Sequence, residues 1–272
     1  MRDAASSIGG DPELRAAELR TAAGVGAPPI REPELERLAR ARGVVAISAD
    51  DGIVADGITV REVDGFHIIV RPVALARSRF TLAHEIGHTF FYERDARGQW
   101  RHRGAGVREE GWCHNFARAL IMPAAWLRRD VAAVERPSLA ALDELASAYR
   151  VSLEALVHRL GQIQVWPTLI ILGEWSDAGW HVRFILKSTR MPGVSTGIRW
   201  GSAHPGSHLL DEASKSSHRH AAGRIDWPVA FRPRGRLFWQ QNDFWAEARV
   251  WNIGRGRTAS VMVVHHDDPA RC

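Results

Sequence analysis

The sequence predicts an α+β protein: a small helix-and-sheet domain, two short helices, and a β-rich C-terminal domain. Two observations predict it. Apolar residues repeat at helical spacing up to residue 43, alternate with period two to about residue 77, return to helical spacing to about residue 163, and alternate again beyond. Tryptophan use changes at the same place: of 11 in the chain, Trp166, Trp175, Trp180, Trp200, Trp227, Trp239, Trp245 and Trp251 all follow residue 164.

The elements follow in order. Residues 1–29 read as a flexible N-terminal segment, small and polar over 1–11, with a short helix in "PELRAAELRTAAG" closed by Gly24. "REPELERLARARG" is a helix with Pro33 in its first turn, Gly43 after its end, and Leu35, Leu38 and Ala39 on one face. "VVAIS", "ITVREV" and "FHIIVRP" are strands of a short antiparallel sheet. Asp64-Gly65 suits a type I′ turn between the last two. Residues 78–92 form a buried helix, "ERDARGQWRHRGAG" a polar loop, and "VREEGWCHNFARALIMP" a third helix ending near Pro123. Helix continues in "AAWLRRDVAAV", and 137–164 is a helix-turn-helix-like pair with Ser138 and Ser152 as N-caps. Residues 165–272 carry about five strands, among them "TLIILGEW", "WHVRFIL", "RLFWQQ", "FWAEARVWNI" and "TASVMVVHH". The predicted domains are thus 30–136, 137–164 and 165–272.

Composition narrows the function. The 272 residues carry 36 Lys+Arg against 31 Asp+Glu, a net charge of +5, which permits an acidic or nucleic-acid partner without requiring one. Two cysteines, Cys113 and Cys272, supply neither a disulfide framework nor a cysteine-rich zinc module. No apolar run reaches the ~18 residues of a membrane span, and the N-terminus lacks the apolar core of a signal peptide. The expectation is a cytoplasmic protein with no membrane partner.

The chemistry is concentrated in "TLAHEIGHTFF", residues 81–91. On a helix His84 and His88 share one face and can present two imidazoles to one ion. Glu85, about a third of a turn away, reaches a water on that ion. A plain buried helix would have to hide Glu85 as well, which is costly without a partner. Gly87, at about 1 kcal/mol relative to Ala, signals a close approach between the histidines, by a metal or by a neighbouring backbone. Zinc needs a third protein ligand and keeps one position open for water. The extended motif with Gly and His at 91 and 94 is ruled out by Phe91 and Arg94. The third helix offers Glu109 and Glu110, and periodicity does not choose between them. His102, Cys113 and His114 are further candidates.

These residues resemble the ImmA/IrrE family of bacterial metallopeptidases. Arg79, Phe80, Ala83, His84, Glu85, Gly87 and His88 fit its first block, and Glu110, Cys113, Phe116, Ala117, Leu120, Met122 and Pro123 its second. The resemblance covers about residues 30–160. His114 stands where Asn is usual and Arg118 where a small residue is usual, and both read as drift. The resemblance implies a gluzincin-like domain with Glu110 as the third metal ligand, Zn²⁺ as cofactor with Mn²⁺ also compatible, and Glu85 as catalytic base. It also implies a GAF-like sensor domain at the C-terminus, where the residues themselves predict only β-structure. The implied substrate is a helix-turn-helix repressor, cut to derepress stress-response or mobile-element genes. Tyr92, Tyr149 and His158 are candidate oxyanion donors. Two other readings stand beside this one. The chain is a DNA-binding regulator that uses 137–164, or a binding protein whose metal is structural. The pairs His204/His208, His218/His220 and His265/His266 would be a second metal site only with further ligands, which the spacing does not supply.

Overall fold

A computed structural model describes residues 10–103, 107–187, 198–231, 238–254 and 257–265. The expectations for residues 1–9, for the start of "RLFWQQ" and for His266 fall outside them. The chain divides into two compact units, Met1–Asp130 with Leu145–Ala155, and Val131–Glu144 with Leu156–Cys272.

The first unit opens with α1 (Pro12–Ala22), capped by Asp11, whose side chain accepts the Glu13 amide at 2.9 Å. Arg20 of α1 donates to the Leu120 carbonyl at 2.9 Å, so the segment expected to be flexible contributes a packed helix. Helix α2 (Glu32–Ala41) buries Leu35, Leu38 and Ala39, the face predicted. Three strands follow, β1 (Val44–Ala49), β2 (Gly57–Arg61) and β3 (Phe66–Val70), in the order β1-β3-β2.

This sheet is mixed, not antiparallel as expected. β2 and β3 form the predicted hairpin, but β1 pairs with β3 in parallel. The chain reverses once before β2 and once after it, so β1 and β3 run the same way, and β3 takes the centre. Nor does Asp64-Gly65 make a type I′ turn. The loop spans residues 62–65, the Glu62 amide donates to the Gly65 carbonyl, and Gly65 does not take a positive φ. A side chain at Gly65 would instead meet the Gly43 carbonyl oxygen at 2.2 Å.

Helix α3 (Leu75–His88) runs on into a single 3-10 turn, Thr89–Phe91. Arg79 is 2 % exposed and binds the carbonyls of Arg150 and Ile30, with Glu32 beside it, tying three segments of this unit together. The predicted polar loop contains a missed hairpin, β4 (Tyr92–Arg94) with β5 (Trp100–His102). Asp95 holds its turn by accepting the amides of Arg97 and Gln99. Helices α4 (Val107–Ile121) and α5 (Ala124–Ala132) are separated at Pro123, as expected.

Helices α6 (Leu139–Tyr149) and α7 (Leu153–Ile163) form the predicted pair, with amides of Ala141 and Ala155 capped by Ser138 and Ser152. The boundary between the two units crosses both helices.

The second unit is built on five antiparallel strands: β6 (Leu169–Ser176), β7 (Gly179–Leu186), β8 (His220–Phe231), β9 (Phe238–Gly254) and β10 (Arg257–His265). Their order is β7-β6-β10-β9-β8. Two predicted strands merge into β9. β8 was missed; it contains Gly223 and Pro228, and at the edge of the sheet a proline is tolerated. A missed helix, α8 (Ser207–Lys215), buries Leu209, Leu210 and Ala213 against Ile171, Val182, Ala246, Ala248 and Met262. On the other face, Gly161 of α7 lets Phe184 and Leu186 approach closely. Among the described residues no helix is long and apolar enough to cross a membrane.

His204 lies buried in this unit, its Nδ1 accepting the Gly206 amide, and burial lowers its pKa to about 3. The unfolded chain takes up this proton near pH 6.5, whereas the folded one does not until about 3. Its contribution is therefore present above pH 6.5 and is lost as pH falls from there toward 3. We expect urea midpoints of the second unit, read by tryptophan fluorescence, to drop across that window. The drop should be shallower in His204→Leu.

Candidate metal centre

The site starts from helical spacing. His84 and His88, one turn apart on α3, face α4, and their Nε2 atoms stand 3.1 Å apart. Helix α4 comes this close because Gly87 has no side chain: a Cβ there would meet Cys113 Cα at 3.3 Å and Phe116 Cδ1 at 3.2 Å. The close approach read from Gly87 is thus a neighbouring helix.

Both glutamates at the start of α4 are used, in different ways. Glu110 reaches the shared side of the imidazoles, with Oε2 3.2 Å from His84 Nε2 and Oε1 3.5 Å from His88 Nε2. Glu109 lies behind. It accepts from His88 Nδ1–H at 2.8 Å and from His102 Nε2–H at 3.1 Å. A carboxylate only accepts, so the His88 proton sits on Nδ1 and the lone pair of its Nε2 faces Glu110. A carboxylate behind a ligating imidazole is the usual outer support of a metal site. Glu110 is 64 % exposed as a side chain and Glu109 only 11 %, which matches one facing the cleft and one buried behind it.

These atoms fit zinc. Ligands at 2.0–2.1 Å in a tetrahedron lie about 3.3 Å from one another. The two Nε2 atoms are 3.1 Å apart, and Glu110 brings Oε2 to 3.2 Å from one and Oε1 to 3.5 Å from the other. Burial, followed by the neighbouring His114, His88 and Arg118, lowers the His84 pKa to about 3. That imidazole is therefore neutral at pH 7, as a ligand must be.

Glu85 lies beside the pair, its carboxylate within 4.8 Å of the ligand nitrogens. It is 5 % exposed and accepts from the Thr59 hydroxyl of β2 at 2.7 Å. Burial raises its pKa, and the Thr59 bond and His88 oppose the rise. Gly57, also on β2, leaves it room: a Cβ there would meet Glu85 Cγ at 2.8 Å. Sequence reasoning missed Thr59 and Gly57, because their link to Glu85 is made only by tertiary packing. A cleft of about 500 Å³ opens over these groups, lined also by Asp56, Ile58, Phe80, Tyr92 and His114.

The remaining candidates separate clearly. His102 supports Glu109. Cys113 is buried, and its thiol is held protonated by burial and by Glu109, Glu110 and Glu85. His114, read as drift, has its Nδ1 2.7 Å from His84 Nδ1. Tyr149 donates to Asp130 at 2.7 Å, and His158 packs on Phe184 in the second unit, so neither lines the cleft. Among the described residues the other histidine pairs form no group of three ligands. His208 meets the Arg224 carbonyl and His265 meets Glu247.

Comparison with known proteins agrees with this geometry. Residues 68–161 match the Peptidase_M78 family model, described as an IrrE N-terminal-like domain. The match begins later than the resemblance suggested, so α1, α2, β1 and β2 lie outside it. No curated protein matches the chain significantly. A solved structure described as a Mycobacterium tuberculosis transcriptional regulator is similar in fold. Its TM-score is 0.57 at 18 % identity, over 96 % of this chain and 82 % of that one.

Two substitutions separate the roles. Glu109→Gln should weaken zinc binding about 10- to 100-fold, by chelator competition, because it loosens His88. Gly57→Ala should leave zinc affinity within about threefold while displacing Glu85, and so abolish any hydrolysis that depends on that carboxylate.

Proposed function

We propose that this chain, whose residues 68–161 match the IrrE N-terminal-like peptidase model, is a zinc-dependent site-specific endopeptidase of the ImmA/IrrE type that cuts a helix-turn-helix repressor. The observation that carries the reading is the meeting of His84, His88 and Glu110 beside a buried Glu85 at the edge of a sheet. The three residues would hold Zn²⁺, and Mn²⁺ is also compatible with this donor set. An ion bound there would supply a Lewis acid that polarises the scissile carbonyl and lowers the pKa of water toward about 7.

The chain's own residues do the rest. β2 is an edge strand, and an extended peptide can pair with it through backbone hydrogen bonds that need no particular side chain. Ile58 and Val60, 40 % and 39 % exposed, offer apolar contacts along that edge. Glu85 takes a proton from water as its oxygen bonds to the carbonyl carbon. It then gives the proton to the amide nitrogen as the C–N bond breaks, leaving a carboxylic acid and an amine. Thr59 holds the carboxylate in place, and its raised pKa makes it a better base than an exposed glutamate. The five-stranded sheet of the second unit, with helix against each face, supports a GAF-like sensor that governs the peptidase.

The second reading is a DNA-binding regulator. It is favoured by the name of the similar solved structure and by the α6–α7 pair. Arg159, the arginine of α7, is 1 % exposed and so withheld from phosphates, which weighs against it.

The deciding experiment mixes the metal-loaded chain with the repressor encoded beside its gene and reads fragments by mass spectrometry. One discrete cut is expected, lost in Glu85→Gln while zinc affinity persists. Cutting that survives in Glu85→Gln contradicts the mechanism. Salt-sensitive DNA binding without cutting favours the regulator.

A further inference from the structure

His114 occupies an unusual position. Its Nδ1 meets Nδ1 of His84, the nitrogen that faces away from Glu110. A hydrogen bond at 2.7 Å needs one proton between these two nitrogens. When His84 offers the lone pair of Nε2 to a metal as a neutral imidazole, its own proton is on Nδ1. His84 is then the donor, and His114 Nδ1 must be the acceptor. A neutral His114 that accepts at Nδ1 carries its proton on Nε2.

That Nε2–H is the free end of the pair. His114 lines the cleft and is solvent-exposed, and among the described residues its Nε2 has no hydrogen-bond partner. The geometry points to His114 as the hydrogen-bond donor to the scissile carbonyl oxygen, with its Nε2–H fixed by the tautomer of His84. This rests on the metallopeptidase reading above and names the donor that reading lacks.

The same pairing can be met by another residue type. Asparagine can accept through Oδ1 and donate through Nδ2. Histidine in this tautomer does the same with two ring nitrogens. His114→Asn therefore keeps a paired acceptor and donor. A donor aimed at an oxygen that gains negative charge stabilises the transition state more than the ground state.

The test uses full-length variants and defined probes. His114→Asn keeps acceptor and donor, His114→Asp keeps an acceptor alone, and His114→Phe keeps neither. The probes are zinc, N-phosphoryl-Leu-Trp, whose tetrahedral oxygens mimic the oxyanion, and mercaptoacetyl-Leu-Trp, an anionic zinc-binding thiol without such oxygens. The readout is the ratio of the two affinities; because the phosphoryl probe carries more negative charge than the thiol, the uncharged His114→Phe decides, and His114→Asp is read against it. We expect that ratio to fall about 10- to 100-fold in Asp and Phe, the range of a hydrogen bond to a charged group. It should stay within about threefold of wild type in Asn. Zinc affinity should hold in Asn and Asp and fall about 10- to 100-fold in Phe, where His84 loses its partner. Long-range ¹⁵N–¹H spectra of the zinc-loaded wild type should show His114 protonated on Nε2 and bare at Nδ1.

A proton on His114 Nδ1, or an unchanged affinity ratio in Asp and Phe, overturns the assignment. So does loss of the ratio in Tyr92→Phe with His114 variants unaffected, which would make Tyr92 the donor. Wild-type chain that binds neither zinc nor the thiol refutes the underlying metal site, and this inference falls with it.

Discussion

The crossing of α3 and α4 at Gly87 is the constraint on which the site depends. One absent side chain lets Cys113 and Phe116 come against the backbone between two histidines. That approach sets α4 so that adjacent glutamates at its start reach the same histidine from opposite sides, Glu110 at Nε2 and Glu109 at Nδ1. Neighbouring positions on a helix diverge by about 100°, so both reach His88 only because it lies between their directions. A wider crossing would move Glu110 out of range of His84 and leave two imidazoles without their third partner.

The electrostatics of the pocket suit a dication. It gathers His84, Glu85, His88, Glu109 and Glu110, while Arg77, which also lines it, is paired with Asp56. Burial keeps His84 neutral and makes the Glu85 carboxylate costly to ionise. A bound cation offsets both penalties at once, since it needs lone pairs from the imidazoles and attracts the carboxylates. The site is therefore poorly satisfied as a protein core and well satisfied as a ligand set.

Much of this was legible in the sequence, for a physical reason. The i, i+4 spacing of His84 and His88 and the glycine between them act within one helix, so local periodicity reveals them. α2, its buried face and the N-caps of α6 and α7 were read for the same reason. Choosing between Glu109 and Glu110 was different. Each fits a face of α4, and the resemblance named only one, whereas the fold engages both. Thr59 and Gly57 were invisible because they reach Glu85 from a strand 26 and 28 residues earlier. The parallel pairing of β1 with β3 depends on how the chain reverses around β2, which strand propensity does not encode. His114 was passed over as drift, because its contact with His84 is made between two helices 30 residues apart and leaves no mark in local spacing.

Zinc K-edge absorption spectroscopy of the reconstituted chain tests the central claim most directly, since it reads the ligand set without requiring a substrate. The account predicts two imidazole nitrogens and carboxylate oxygen in a first shell of nitrogen and oxygen at about 2.0–2.2 Å, with four neighbours in all. Glu110→Ala should keep both imidazoles, with water in place of the carboxylate, and weaken zinc binding. A sulfur scatterer near 2.3 Å would place Cys113 in the site. That result, or zinc affinity unchanged by Glu110→Ala, would contradict the account.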